Sequence, residues 1–310
     1  MKNIDKNLLR EIITHKDFSG SVSFMEPMKD HTSLRIGGQA DVFAVPKEAI
    51  SLKNMLFALK EEGIPFIPVG GGTNMLVRDN GIEGVVISLK NFERMDIVGK
   101  ERDSVMIYIE SGAPLQKLVS LSRDNGYSGI EGLIGIPGSI GGAVSGNAGS
   151  FGYSVKDVLI SATLMDADGE VTEINADRLR LGYRSSRIPQ GSIILSAIIE
   201  MRPNSKEDVK KKMKEFIKEK RERHPLSELS AGCVFRNPEG MSAGRLIDEA
   251  GCKGMKIGEV EVSGLHANYF VNKGNATASD FIRLMDEVSK RVRKAFGINL
   301  EPEIRIIGRR

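Results

Sequence analysis

The most regular apolar spacing in the chain lies near its C-terminal end. Phe281, Leu284, Met285, Val288 and Val292 recur at three- and four-residue intervals, which predicts an amphipathic helix over 277–296. Thr277, with Asp280 three residues on, supplies its N-terminal cap. The same spacing predicts a helix over 46–63, where Pro46 opens it, Leu52, Met55, Leu56 and Leu59 form its apolar face, and Gly63 ends it. Another over 114–126 runs from Pro114 to Gly126 with Leu115, Leu118, Val119 and Leu121 inward. Helices are also predicted over 205–224, with Val209, Met213, Phe216 and Ile217 on one side and Ser205 and Asp208 as a capping pair, over 241–250, and over 3–15, with Leu8, Leu9, Ile12 and Ile13 on one face. The lysine run of the 205–224 segment reads as a solvated face. Short apolar or alternating runs between these helices predict strands at Leu34–Ile36 and Val42–Val45 around Gly37-Gly38, then at Ile64–Val69, Val85–Leu89 and Val105–Glu110. Val158–Met165 and Glu170–Ile174 read as a hairpin turning at Asp168-Gly169. Ser192–Met201, Val260–Val262, Tyr269–Val271 and the closing segment from Glu301 complete the set.

One stretch follows neither period. Gly132–Gly152 reads GLIGIPGSIGGAVSGNAGSFG, without a charge, and its glycines would weaken any helix or strand built from it. A flexible linker would be polar, whereas this stretch keeps Leu133, Ile134, Ile136, Ile140, Val144 and Phe151. Apolar anchors separated by glycines predict a loop pinned to a core with its amides turned toward a ligand. A second glycine cluster, Gly70-Gly71-Gly72-Thr73-Asn74, follows the predicted strand ending at Val69, a common place for ligand contacts in mixed folds. It is not a phosphate loop of the GK[ST] type and does not fit GxGxxG.

Composition narrows the choices. A chain of 310 residues with 40% hydrophobic and 27% charged residues is of ordinary globular type, long enough for two or three domains. A net charge of +3, 5% aromatics and no tryptophan argue against a nucleic-acid partner. Cys233 and Cys252 make neither a CxxC motif nor a disulfide framework, and His15, His31, His224 and His266 show no metal-ligand spacing, so no metal is expected. The charged N-terminal stretch is no signal peptide and no apolar run would span a bilayer, so a cytoplasmic protein without membrane contact is expected.

Three short segments set polar residues among apolar or glycine neighbours. In Tyr183-Arg184-Ser185-Ser186-Arg187, the arginine is either a surface residue or a fixed cation for a carboxylate or phosphate. In Ser230–Pro238, Cys233 between Gly232 and Val234 is either a small buried hydrophobe or a reagent, with Arg236 and Asn237 suited to an anion beside it. In Glu301-Pro302-Glu303-Ile304-Arg305, alternation puts the two glutamates and Arg305 on one face, either as the polar side of an edge strand or as a carboxylate held rigidly in a cleft.

Together these segments resemble the UDP-N-acetylenolpyruvoylglucosamine reductase family. The resemblance rests on an ordered set: His31–Asp41, Pro68–Leu76, Ile136–Gly142, Asn147-Ala-Gly149, Gly182–Ser185, Ala231–Pro238, Ala243–Asp248, His266-Ala-Asn268 and Leu300–Arg305. It covers nearly the whole chain from about His31. The short Glu239–Ala243 segment resembles the family's shorter, second subtype.

The resemblance implies an α+β chain: a two-subdomain FAD-binding fold of the vanillyl-alcohol-oxidase (PCMH) type, over 1–84 and 85–204, plus a C-terminal α+β substrate-binding domain over 205–300, with 301–310 returning to the first subdomain. It implies non-covalent FAD, NADPH as co-substrate, a UDP-sugar enolpyruvyl ether as substrate, and a monomer. FAD would be held by Val69, Gly70, Gly71, Gly72, Thr73, Asn74, Met75 and Leu76, and by Ile136, Pro137, Gly138, Gly141, Gly142, Ala143 and Asn147. Arg184 would stabilise negative charge on the reacting group, Glu303 rather than Glu301 would assist, and Tyr183, Arg184, Arg236 and Asn237 would bind substrate. Cys233 stands where many members have serine; a thiol, with an ordinary pKa of about 8.5, is a far stronger acid than an alcohol and suits the proton donor. Cys252 reads as core, and Phe151, where tyrosine is frequent, as a packing ring. Competing expectations are an FAD-linked oxidase of the same fold and a non-catalytic flavin or UDP-sugar binding protein.

Overall fold

The computed structural model describes residues 18–310; the helix expected over 3–15 lies outside them. The described chain divides into two compact units, one built from residues up to Phe24 with 42–71 and 84–218, the other from 25–41, 72–83 and 219–310.

The first unit holds an antiparallel sheet in the order Val171–Asn175, Leu159–Met165, Ile193–Pro203, Val105–Glu110, Met95–Lys100, with Tyr127–Ser128 pairing to the end of Ile193–Pro203. Alternation decides its faces: Val105, Ile107 and Ile109 are fully buried, while Met106 between them is exposed. The helix Leu115–Asn125 packs Leu115, Leu118 and Val119 onto this layer, starting after Pro114 and ending at Gly126, whose φ of 73° gives the left-handed cap glycine provides without a Cβ penalty. A second core forms where the helix Ala49–Glu61 buries Leu52, Met55, Leu56 and Leu59 against Val42, Ala44, Val85 and Ile87. The strand Phe66–Val69 runs parallel to Ile82–Ser88, pairing Phe66 with Val85, and delivers the chain to Gly70.

The second unit is built on a four-stranded antiparallel sheet, Leu229–Cys233, Tyr269–Asn272, Val260–Val262 and Lys256–Ile257. The helix Ala278–Phe296 covers it with the stripe expected from its spacing: Phe281, Leu284, Val288 and Val292 are fully buried. Thr277 caps that helix by accepting from the Asp280 amide, and Asp79 adds a second acceptor for the Ala278 and Ser279 amides at 2.8 and 2.9 Å. Burial raises the Asp79 pKa, but the Ser279 hydroxyl and these two amides outweigh it and hold the carboxyl below its ordinary value. The last strand, Arg305–Ile307, runs parallel to Met75–Val77, with Arg305 opposite Met75.

The structure departs from the pattern reading at definite places. Leu34 and Ile36 form no strand; they are core anchors at 0 and 1% exposure in an irregular segment around Arg35, whose φ is 54°. The first helix begins at Ala49, three residues after Pro46. Gly132–Gly152 is not all loop: it contains a helical turn at Glu131–Leu133 and the short helix Ile140–Ser145, capped by the Ser139 hydroxyl accepting from the Gly142 amide. Two glycines in that helix cost propensity, and burial of Ile140 and Val144 compensates. Glu301–Ile304 carries only a single bridge, Phe235 to Pro302, and regular strand begins at Arg305. In the helix Lys206–Arg223 the lysines are mostly exposed, but Lys220 is buried at 6% exposure. Gly20–Pro27, Met75–Val77 and Met95–Lys100 are strands that the pattern did not single out.

Candidate active site

In the first unit the opening turn of the glycine stretch is held by a side chain from a neighbouring helix. Gln116, on the helix Leu115–Asn125, donates to the carbonyls of Leu133 (3.1 Å) and Ile136 (2.8 Å) and accepts from the Gly135 amide (3.1 Å). This side chain satisfies the Ile136 carbonyl and the Gly135 amide, which the turn leaves open, and adds a second donor to the Leu133 carbonyl, which also accepts from the Ile136 amide at 3.1 Å. Pattern reading missed it, since a glutamine at a helix start has no distinctive signal. The Gly70 loop lies against the start of the short helix, where a Cβ on Gly70 would sit 2.4 Å from Ser139 Oγ. A Cβ on Gly141 would sit 2.9 Å from that of Ser111. These two glycines are required by close approach of protein to protein. Gly142 differs: it is exposed, and a Cβ there would meet only Ser139 Oγ, at 3.6 Å. Gly70, Gly71 and Gly142 thus present bare, exposed main chain, a surface suited to the phosphates and ring edges of a dinucleotide cofactor. Around it Ile136 and Gly138 are half-buried, Pro137 is exposed, and Val69 and Ala143 are buried.

Asn147 is 4% exposed with φ at 40°, and its side chain is used within the protein. It accepts from the Lys156 amide at 2.9 Å and donates to the Gly182 carbonyl at 2.7 Å. That second bond ties the glycine stretch to the Tyr183-Arg184 segment. Ser186 adds another tie, donating to the Ser145 carbonyl at 2.7 Å. Arg184 sits in left-handed backbone, φ 52°, an uncommon conformation for a side chain of this size. Its Nη2 donates to the Gly149 carbonyl at 2.8 Å, and its guanidinium lies 5.5 Å from the centroid of the exposed Tyr183 ring. Phe151, also left-handed at 53°, stacks on Phe216 at 4.5 Å, a packing role as expected.

In the second unit Cys233 and Glu303 come together on neighbouring segments. The Glu303 amide donates to the Val234 carbonyl at 2.7 Å, and the Arg236 amide to that of Glu301 at 2.8 Å, on either side of the Phe235–Pro302 bridge. Cys233 and Glu303 are both half-buried, while Glu301 is exposed. Gly232 has φ of 76° at a β-bulge, where three residue steps from Ser230 to Cys233 oppose two from Val271 to Tyr269. Such a bulge re-aims the side chain that follows it. Asn74 donates to the Glu303 carbonyl at 3.3 Å and accepts from the Arg305 amide at 3.2 Å, so the second glycine cluster abuts the glutamate's main chain. Gly72 here is forced by close approach, because a Cβ would lie 1.9 Å from the His31 carbonyl. Thr73 is half-buried, and Met75 and Leu76 are buried core whose main chain pairs with the strand Arg305–Ile307. Arg236 is half-buried, and Asn237 accepts from the Ala243 amide at 2.9 Å. Cys252 is fully buried, and burial pushes its thiol pKa up.

A ring cluster that joins His266 of the His266-Ala-Asn268 motif to His224 and Tyr269 flanks this site. His224 and His266 stack at 4.8 Å, and both make steeply inclined ring contacts, at 5.2 and 4.9 Å, with Tyr269, Cys233's partner across the sheet. Burial, followed by the charges of His266, Lys220 and Arg223, lowers the His224 pKa to about 4. Burial also lowers that of His266.

Fold and site define an FAD-binding α+β protein with an appended C-terminal domain. Residues 40–175 match the family described as FAD binding domain, and residues 224–307 match the UDP-N-acetylenolpyruvoylglucosamine reductase, C-terminal domain. Over 289 residues the chain is 40% identical to the UDP-N-acetylenolpyruvoylglucosamine reductase of Geotalea uraniireducens, covering 93% of this chain and 95% of that one. It is 42% identical to that of Pelobacter propionicus over 283 residues, 91% of this chain and 94% of the relative. A crystal structure of the reductase from Thermus caldophilus superposes with a TM-score of 0.79 at 32% identity, covering 93% of this chain and 99% of that one. The chain belongs to the UDP-N-acetylenolpyruvoylglucosamine reductase family, a family of oxidoreductases. Among the described residues no helix is long and apolar enough to cross a membrane.

Proposed function

We propose that the protein reduces the enolpyruvyl ether of UDP-N-acetyl-3-O-(1-carboxyvinyl)glucosamine to UDP-N-acetylmuramate, with NADPH as reductant, in the making of peptidoglycan precursor in the cytoplasm. The bare main chain at Gly70, Gly71 and Gly142 fits FAD. FAD held there would supply two-electron chemistry, linking hydride uptake from NADPH to hydride addition at C3 of the enolpyruvyl group. The chain's own residues manage the charge and the proton. As C3 gains hydride, negative charge develops at C2 and spreads into the substrate carboxylate. Arg184, whose guanidinium is anchored on the Gly149 carbonyl and whose segment is tied at Gly182 by Asn147, stabilises that charge. Cys233 donates a proton to C2, completing the C–H bond, and regains one from solvent. Glu303 acts beside it. Tyr183, Arg236 and Asn237 bind the substrate. The observation that supports this reading is the hydrogen bond from the Glu303 amide to the Val234 carbonyl, which joins the segment of Glu303 to the residue after Cys233. The same proposal holds the chain to be a monomer, divided as 1–84 and 85–204 for the cofactor and 205–300 for the substrate.

The test is an anaerobic two-stage experiment on the purified holoenzyme. NADPH should bleach the flavin absorbance, and the enolpyruvyl sugar should restore it. Cys233→Ala should slow the second stage by about 100-fold and leave the first near normal. Restoration by oxygen alone, with the sugar inert, would overturn the assignment in favour of an oxidase.

A further inference from the structure

The His266-Ala267-Asn268 segment matched the family pattern, but no step above uses it. Asn268 is 1% exposed, on the turn just before the strand Tyr269–Asn272. A buried primary amide must satisfy both of its ends. Asn268 does so on a single residue: its Oδ1 accepts from the Phe235 amide at 2.9 Å, and its Nδ2 donates to the Phe235 carbonyl at 2.8 Å. The side chain copies the two-bond exchange that a strand neighbour would make. Its own carbonyl accepts from the Val234 amide at 2.8 Å. Its amide donates to His266 Nδ1 at 3.2 Å, which fixes that ring as the Nε2–H tautomer when neutral.

The need for such a clamp follows from the bulge. Ladder pairing with Tyr269–Asn272 ends at Cys233, and Val234–Arg236 continues beyond it. On its other side that segment receives bonds from Glu303 and gives one to Glu301. Without the Asn268 side chain both main-chain groups of the buried Phe235 would lose these partners, and the residues before and after it would lose their reference.

We infer that Asn268 is a positioning residue: by pairing with both main-chain groups of Phe235 it sets the placement of Cys233 relative to Glu303. This rests on the reading of Cys233 as proton donor. No other side chain fits the role equally well. Aspartate keeps the acceptor and loses the donor, setting a carboxylate against the Phe235 carbonyl. Glutamine keeps both but is one methylene longer. Misplacement by about 1 Å in a reacting constellation costs on the order of 100-fold in rate.

The experiment uses the FAD-loaded full chain with Asn268→Asp, Asn268→Gln and Cys233→Ala side by side. Three quantities are read: flavin reduction by NADPH, flavin reoxidation by the enolpyruvyl sugar, and hydrogen–deuterium exchange at the Phe235 amide. Asn268→Asp should reduce at a rate within about twofold of the parent, reoxidise about 100-fold more slowly, and exchange faster at Phe235. Asn268→Gln, which retains both hydrogen-bonding ends should the aspartate variant fail to fold, should show a smaller loss confined to reoxidation, about tenfold. Cys233→Ala should slow reoxidation without changing exchange at Phe235. Equal slowing of both half-reactions by the Asn268 variants, or unaltered reoxidation, would overturn the positioning role. If Cys233→Ala itself leaves reoxidation intact, the proton-donor reading fails instead; faster exchange in the Asn268 variants would still show the clamp.

Discussion

The glycine stretch of the first unit and the Cys233–Arg236 segment of the second are held by the same device in opposite ways. In each, one side-chain amide binds main chain that regular structure leaves open: Gln116 on the Leu133–Ile136 turn, Asn268 on Phe235. What is held differs. The first segment bends through left-handed Gly135, Gly138, Asn147, Phe151 and Gly152, and exposes bare backbone at Gly142. The second is nearly extended, buries Val234 and Phe235, and carries side chains at its ends. Backbone suits recognition of a cofactor's phosphates and ring edges, where close approach matters. Side chains on paired segments suit proton transfer, where the position of a few atoms matters.

The strongest way to break this comparison is through the glycines. Gly72→Ala would set a Cβ 1.9 Å from a carbonyl in backbone with φ of 63°, and should lower stability by more than about 3 kcal/mol or prevent folding, read by thermal unfolding. Gly142→Ala meets nothing closer than 3.6 Å and should leave the melting temperature near that of the parent, yet weaken FAD by about tenfold or more in a fluorescence titration. Unchanged FAD affinity would remove the cofactor role of the short helix. Next in size, Glu303→Gln should slow flavin reoxidation by the enolpyruvyl sugar about 100-fold while NADPH reduction holds; full turnover would detach Glu303 from the chemistry. Gln116→Leu should cost about 2 kcal/mol in a urea titration, since it leaves a half-buried turn with the Ile136 carbonyl and the Gly135 amide unmet; a loss below about 0.5 kcal/mol would show that the turn stands without the clamp.

The smallest expected effect is a pH slope in the second unit. His224 has a folded pKa of about 4, below its ordinary 6.5, so the unfolded chain takes up the proton first as pH falls. Its contribution to stability is therefore fully present above about pH 6.5 and is lost as pH falls toward 4. Allowing for its half-exposure, the loss is on the order of 1 kcal/mol. His224→Gln should flatten that part of a stability–pH curve; an unchanged curve would assign the slope to other groups.

Much of this was legible beforehand, for a definable reason. The buried stripe of Ala278–Phe296 and the alternation of Val105–Glu110 depend on residues a few positions apart, so local periodicity reveals them. Cap residues Thr277 and Gly126 are local for the same reason. Leu34 and Ile36 look like strand residues because both are apolar at alternate positions, but their burial comes from a distant core, not from pairing. Lys220 sits in a run of exposed lysines and is buried through its place on the helix, which composition does not encode.

The sequence by itself determined the helices and most strands, the glycine-rich loops, the family and the cofactor type, because each depends on residue type at short range or on an ordered set of motifs. Tertiary structure alone decided why each glycine is there. Gly72 and Gly70 answer to a carbonyl and a hydroxyl far along the chain, while Gly142 answers to no protein atom closer than ordinary contact. It alone also showed Gln116 and Asn268 as clamps, because hydrogen bonds spanning 17 to 20 and 33 residues leave no trace in local spacing. Buried main-chain groups must find partners somewhere, and only the folded chain shows where.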